Sequence, residues 1–368
     1  MIKILFPLIM AIIFAIIHYL GYKRVIKKLH ISNSIKKVFF YALIFNYINV
    51  LGYLTSRYFI DIPNVLYFIF SLSIGVGFVI LVSILVYEIL NLFHKIPFEQ
   101  SKRDFFKKSS DVGFLSMGAL YLGSGIAEGS KLPVIQRVNI KQNRFKEPYR
   151  IVQISDMHIG GLIDKEFVHR SVEIINTQKA DLVVITGDLI DTPIARVSKA
   201  VDELQHIKSK YGTYYILGNH EYFHGLEPTI DYIKSLGIKI LNNSSERIDK
   251  FYICGVNDIF GFRYGAFEPD IDKTMKDLDA KTPTLLLAHQ PRFLKYLGEH
   301  KPSLVLSGHT HGGQIWPFGY LVSIVQPFLK GLHKIGENRH IYVNSGIGFW
   351  GPKMRLGSQA EITVIEWS

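Results

Sequence analysis

The stretch Leu304-Val305-Leu306-Ser307-Gly308-His309-Thr310-His311-Gly312-Gly313 is a short apolar run that stops on two histidines set among glycines. A brief apolar run bounded by glycine reads as a buried strand, so the histidines stand at its carboxyl end. The same arrangement occurs four more times upstream. Asp156-Met157-His158 follows the run 150–155, and Gly187-Asp188 follows 181–186. Gly218-Asn219-His220-Glu221 follows 213–217, and His289 follows 284–288. In an open α/β sheet, sites assemble at the carboxyl ends of strands. Seven side chains there offer oxygen or nitrogen ligands: Asp156, His158, Asp188, Asn219, His289, His309 and His311. That set exceeds the needs of one ion. It suits two ions sharing a carboxylate, an arrangement used to cleave phosphate esters.

Amphipathic helices are expected over 165–178, 194–209 and 227–236, between the first strands. The strict alternation then stops. Strands over 238–243, 247–249 and 251–256 are closely spaced and suggest an antiparallel part, followed by a helix over 270–279. Strands over 341–343 and 362–366 close the system. The fold class expected is α/β, a mixed two-sheet sandwich flanked by helices, preceded by an all-α transmembrane region. Cys254, the single cysteine, excludes an intrachain disulfide and reads as a small buried hydrophobe on a strand.

Charge divides the chain of 368 residues more sharply than length does. Residues 1–150 carry 19 Lys and Arg against 7 Asp and Glu, whereas residues 151–368 carry 23 against 24. The second part therefore lacks the basic footprint of a nucleic-acid surface, and no nucleic-acid partner is expected. The basic first part holds long apolar runs at 4–20, 39–55 and 64–93. Each approaches or exceeds the roughly 20 apolar residues of a membrane span. No small-residue cleavage site follows the first run, so it reads as an uncleaved helix.

Basic residues orient these helices. Lys23, Arg24, Lys27, Lys28, Lys36 and Lys37 follow the first, and Lys95, Lys102, Arg103, Lys107 and Lys108 follow the third. Only Arg57 lies between the second and third. The two basic loops are expected in the cytoplasm. Residues 111–127 are short, rich in Gly and Ser, and read as a weak fourth span or an interfacial helix. Just before them, Ser101-Lys102-Arg103-Asp104-Phe105-Phe106-Lys107 resembles a twin-arginine export motif, with Lys102 for the first arginine and Phe106 for the usual leucine. If 111–127 cross, the second domain faces outside the cytoplasmic membrane. The expected organisation is a helical region of three to four spans over 1–127, a linker over 128–147 and a catalytic domain over 148–368.

Taken in order, Asp-x-His, Gly-Asp, Gly-Asn-His-Glu, His and Gly-His-x-His resemble the calcineurin-like metallophosphoesterase superfamily. Gly308 to Gln314 is similar to its membrane-associated bacterial phosphohydrolase branch. The resemblance covers 148–368 and leaves out the helices of 1–95. It implies one divalent ion (Mn, Fe or Zn) on Asp156, His158 and His311, and a second on Asn219, His289 and His309. Asp188 would bridge them, a hydroxide between the ions would be the nucleophile, and His220 would contact phosphate or protonate the leaving oxygen. Asp188 or Glu221 would orient His220.

Other positions are read from their residue types. Arg355 is a candidate for binding a substrate anion, because its guanidinium forks onto phosphate; the alternative is a solvated surface residue. Asn344, after a strand end, is a candidate substrate contact. His224 reads as a loop residue and Asp191 as a helix cap. Residues 315–332 are unusually apolar for a loop, and read either as a core helix or as a lip leaning on lipid. The leading function is a membrane-anchored two-metal phosphohydrolase acting on lipid-linked or headgroup phosphates at the bilayer. One alternative is a cytoplasmic pyrophosphatase for a nucleotide-linked lipid precursor. Another is a membrane sensor or channel with a regulatory phosphoesterase domain, although only Glu88 lies deep in an apolar helix.

Overall fold

The computed structural model describes every residue except Met1, Phe59, Asp61, 94–98, Asn143 and Arg144. Lys95 of the second basic loop and two linker residues therefore lie outside the described residues. The chain divides into two compact units: Met1–Glu128 with Gly351–Met354, and Gly129–Trp350 with Arg355–Ser368.

In the first unit, α1 (Ile2–Leu20), α2 (Asn33–Tyr58) and α3 (Asn64–Phe93) cover the three apolar runs. With the turns that extend α1, they provide three stretches long and apolar enough to cross a membrane: Leu5–Lys28, Asn33–Arg57 and Asn64–Leu92. Leu8, Ile12 and Ile16 on α1, and Leu85, Ile89 and Leu92 on α3, are exposed, as side chains facing lipid would be. Glu88 is paired with Lys28 at 2.9 Å and with Arg24 at 3.6 Å, at the end of the first apolar stretch. The expected basic loop and the weak segment after it are joined in one helix, α4 (Gln100–Gly129). Lys102, Arg103, Lys107 and Lys108 are thus helical and not a loop. Asp111 within α4 accepts from the Tyr87 hydroxyl at 2.9 Å and from the backbone N–H of His30 at 2.6 Å.

Among the described residues of the second unit, twelve strands form two six-stranded sheets. The first has the order β1 (Val134–Ile140), β12 (Glu361–Trp367), β2 (Tyr149–Ile154), β3 (Leu182–Thr186), β4 (Thr213–Ile216), β5 (Lys239–Ile240). The second runs β10 (Gly331–Gly336), β11 (Arg339–Val343), β9 (Leu304–Ser307), β8 (Thr284–Leu287), β7 (Phe251–Gly255), β6 (Ser244–Ile248). Strands β2 to β5 are parallel, as are β7, β8, β9 and β11. Both central sets are buried on two faces, which is why their sequences are continuously apolar. Ile151, Leu182, Val184, Tyr214 and Ile216 meet Phe251, Ile253, Leu285, Leu304 and Leu306 between the sheets. Their neighbours Val152, Ile154, Val183 and Ile185 point the other way, onto the helices Lys165–Thr177, Ile194–Val201 and Leu226–Ser235. Cys254, Leu286, Val305 and Ile341 fill the outer side of the second sheet.

The expected run of antiparallel strands after 238 is corrected. Lys239–Ile240 pairs in parallel with β4 at the edge of the first sheet, and of the strands in this stretch β6 and β7 form the antiparallel pair, in the second sheet. The chain changes sheets at Asn243, whose left-handed backbone (φ 46°) turns it and whose side-chain oxygen accepts from Asn257 and Asp270. The helix expected over 270–279 shortens to Ile271–Thr274, capped by Asp270. In 315–332 the helix Gly319–Val325 has no buried residue, so it is not a core helix.

Trp367 closes one end of the inter-sheet core, edge-on to Phe145 and Phe251 with ring centroids 5.0 and 5.3 Å apart. Its indole nitrogen is buried with no hydrogen-bond partner. Trp367→Ala should therefore cost about 3–5 kcal/mol. Trp367→Phe, which keeps an aromatic ring and loses no hydrogen bond, should cost less because it leaves a smaller cavity. Thermal unfolding of the full chain followed by circular dichroism should rank the two in that order, and equal losses would refute this account of the core.

Candidate metal centre

Parallel strands bring their carboxyl ends to one edge, and the loops leaving β2, β3, β4, β8 and β9 carry all seven expected ligands there. The first two loops run side by side. The N–H of Asp156 donates to Gly187 at 3.0 Å, that of His158 to Asp188 at 3.1 Å and that of Ile159 to Leu189 at 2.8 Å. Glu221, wholly buried, ties the third loop to the second. Its carboxylate accepts from the backbone N–H groups of Gly218 (2.7 Å), Leu189 (2.7 Å), Asp188 (3.2 Å) and Ile190 (3.3 Å). The backbone N–H of His309 donates to Asp156 Oδ2 at 2.8 Å, and that of His220 to Asp188 Oδ1 at 2.8 Å.

Five of the seven residues, Asp156, His158, Asp188, His309 and His311, have left-handed backbones with φ between 49° and 70°. Such residues cost about 1–3 kcal/mol each and persist where surrounding structure holds them. Here the inter-loop hydrogen bonds do so, and the strain turns each side chain inward. Two glycines are required by close approach: a Cβ on Gly218 would collide with Asp188, and one on Gly308 with Ser155 and Asp156.

Asp156, His158 and His311 each offer one atom to a common point, and so do Asp188, His289 and His309. His158 Nε2 and His311 Nε2 face each other at 3.0 Å, with His311 Nε2 also 3.5 Å from Asp156 Oδ1. His289 donates from Nδ1 to the Thr186 carbonyl at 2.7 Å, which leaves Nε2 as its ligand atom. That Nε2 lies 3.2 Å from Asp188 Oδ2 and 3.2 Å from Asn219 Oδ1. Asp188 Oδ2 is also 3.9 Å from His158 Nε2, so it stands between the two groups.

Burial favours uncharged forms, and the charges decide where it loses. Burial raises Asp156 above the usual carboxylate range, against the opposing pull of His289. Burial also acts to raise Asp188, but His289, His220 and His158 together hold it well below. His289 is raised in return: burial pulls it down, and Asp188 outweighs that. Burial pushes His309 down to about 3, and pushes His311 well below its ordinary value, helped by His158 and Arg355. His309 and His311 are therefore neutral imidazoles with a lone pair to offer.

The donor set fits two divalent ions. Opposed histidine nitrogens at 3.0 Å are two lone pairs in contact unless a cation or proton lies between them. His158 Nδ1 is buried without a hydrogen-bond partner. Mixed imidazole and carboxylate donors suit Mn, Fe or Zn over pure Mg or Ca.

Several expected roles change. Asp191 stands at the site itself: its Oδ1 lies 2.5 Å from His220 Nδ1 and 3.7 Å from His158 Nδ1. Neither Asp188 nor Glu221 therefore orients the His220 ring; Asp191 does, and its signal was only a carboxylate three residues after the Gly-Asp motif. His224 ends the short helix Glu221–His224, with Nε2 4.0 Å from Asp191. Arg355 is not a solvated surface residue. It is 1% exposed and its guanidinium donates to the carbonyls of Gly348, Ser345, Gly346 and Ser358, bracing the turn behind His311. Asn344 is also a brace, donating to Thr363 Oγ1 at 2.8 Å and accepting from Gly346 at 2.7 Å. Asp258, unremarked in the sequence, is buried beside the site, and burial pushes it up to about 6.

Comparison with known proteins agrees with this geometry. Residues 149–313 match the family model for calcineurin-like phosphoesterases. An uncharacterized metallophosphoesterase of Helicobacter pylori is 36% identical over 97% of this chain and 98% of its own length. One from Campylobacter jejuni is 31% identical over 99% and 98%. A transmembrane protein with metallophosphoesterase domain from Danio rerio is 33% identical over 66% of this chain and 59% of its own length. With two ligand groups meeting at the strand ends and a relative matched along nearly the whole chain, this protein belongs to the calcineurin-like phosphoesterase family and is a metal-dependent phosphoesterase.

Proposed function

We propose that this protein is a membrane-anchored two-metal phosphohydrolase of a bacterial, membrane-associated branch of the family, acting on lipid-linked or headgroup phosphates outside the cytoplasmic membrane. In this reading 1–127 is the anchor, 128–147 the linker together with the entry strand β1, and 148–368 the rest of the catalytic domain. The observation that carries the two-metal part is Asp188 Oδ2, placed between a group of Asp156, His158 and His311 and a group of His289, His309 and Asn219. Two ions held there would neutralise phosphoryl charge and supply an activated water.

The chain's own residues supply the rest. Asp191 holds His220 Nδ1, so Nε2 is the nitrogen turned toward the ligands, 3.9 Å from Asp188 Oδ2. From there His220 would contact the phosphoryl group or pass its Nε2 proton to the leaving oxygen. Asp191 keeps the ring in that orientation and tautomer. Glu221 acts at one remove by holding the Asp188 and Gly218 loops together. The lipid part of the reading is supported by the three membrane-length apolar helices and by a relative matched along the helical region too.

Asp188→Asn should lose most activity toward an activated phenyl phosphodiester or monoester, because it weakens both ions together, and chelation should abolish the wild-type rate. Retention of roughly a tenth or more of the rate with Mn or Zn present would sink the two-metal mechanism. His220→Asn should keep about two ions per chain by elemental analysis, while turnover falls about 10²–10⁴-fold. The fall should be smaller for a good leaving group, and Asp191→Asn should reproduce part of it. Loss of one metal equivalent in His220→Asn would make His220 a ligand instead. For topology, Ser130→Cys in a Cys254→Ser background should react with a membrane-impermeant thiol reagent on intact spheroplasts. Exchanging Lys102 and Arg103 for Gln should abolish that labelling. Reaction only after lysis would place the site in the cytoplasm and favour pyrophosphate cleavage of a nucleotide-linked lipid precursor.

A further inference from the structure

The chain between the His309/His311 loop and β10 is a closed excursion, fastened at both ends to the metal-site loops. At its start Gly313 packs on Gly319, where a Cβ would find no room. At its end Thr310, between the two histidines, donates from Oγ1 to the Leu329 carbonyl at 2.6 Å. Gln326, 3% exposed, reaches the loop after His289, accepting from the Arg292 N–H at 3.0 Å and meeting Gln290 at 3.2 Å. The excursion is therefore held in place beside loops that carry ligands of both groups.

What it presents outward is the reverse of a soluble surface helix. Tyr320, Leu321, Ile324 and Val325 are 70%, 54%, 77% and 56% exposed and recur at the spacing of one helix face. No Asp or Glu occurs between residues 312 and 336, while Lys330 and Lys334 are exposed. An apolar face flanked by lysines, with no acidic residue, complements an anionic bilayer surface. A seven-residue helix offers far fewer contacts than the about 20–30 residues a side of a stable protein interface, so a second copy is a poor occupant. A bilayer is a better one. Helix α4 ends at Gly129 and β1 begins at Val134, so a very short link ties this unit to α4, which follows in sequence the three helices long and apolar enough to cross a membrane. Tethering of that kind lets a weak contact be populated, because the surface is always at high effective concentration.

We infer that the Gly319–Val325 helix is a membrane-docking lip, lying in the headgroup layer of an anionic bilayer and presenting the metal site to phosphoesters carried by that bilayer. Its purpose rests on the lipid-phosphate reading above, but the docking itself is tested separately. The full chain with Cys254→Ser and Ile324→Cys, spin-labelled at 324, is placed in nanodiscs of phosphatidylethanolamine and phosphatidylglycerol. The label should collide freely with oxygen and be shielded from a water-soluble nickel chelate, whereas a label at exposed Glu337 (Glu337→Cys) should show the opposite. Nickel access at 324 equal to that at 337, or spin–spin broadening from a second copy, overturns the proposal. A companion variant, Tyr320→Ser with Leu321→Ser and Ile324→Ser, alters only exposed side chains. It should lower turnover of a bilayer-borne phosphoester on the order of 10-fold or more, through loss of apolar burial, and leave a water-soluble phenyl diester unchanged. Equal loss on both esters overturns the lip's role in substrate access. A shielded label with no lipid ester turned over by the wild type leaves docking supported and removes the lipid-substrate reading instead.

Discussion

One carboxylate oxygen, Asp188 Oδ2, lies within 4 Å of ring nitrogens from His158, His289 and His220, on three different loops. Two aspartates and several histidines buried at one sheet edge would repel or desolvate one another at a cost of several kcal/mol per charge. They are tolerable only where opposite charge is shared among them. Asp188 is that shared charge. The loops after β2, β3, β4, β8 and β9 must all hold their positions around it, so the rest of the centre follows from its placement.

The residues that hold those positions stand behind the candidate ligands. Glu221 collects four backbone N–H groups from two loops, and Arg355 gathers carbonyls from the turn behind His311. One is a buried anion satisfied by amides, the other a buried cation satisfied by carbonyls. Each meets the requirement that buried charge be hydrogen-bonded. Together they make the left-handed backbones at the ligands sustainable. The fold keeps its strain at the site and its compensation one layer behind it.

The helical unit and the Gly319–Val325 excursion share a physical theme, apolar surface with no protein to cover it. In α1–α3 length and composition account for it, since each is long enough for a bilayer. In the excursion, fastening by Thr310 and Gln326 keeps such a face turned outward beside the metal loops.

How much of this was legible in the sequence depends on the range of the interaction. The seven candidate ligands could be read because each sits just after a short apolar run, and strand ends are a local pattern. The two-sheet class, the three apolar helices and buried Cys254 were legible on the same ground. The roles of Asp191, Arg355 and Asn344 were not, because each is set by partners that the fold brings in: His220 for Asp191, Ser345 and His311 among the partners of Arg355, and Thr363 for Asn344. Periodicity carries no information about such pairs. The same limit hid the parallel pairing of Lys239–Ile240 with β4 and the continuity of α4 through its basic segment. The sequence by itself thus determined which residues could bind metal and where the apolar helices lie, since both are written in neighbouring residues. Only the tertiary structure decided which carboxylate orients His220 and which arginine braces His311, because buried charge is settled by whatever the folded chain brings within a few ångströms.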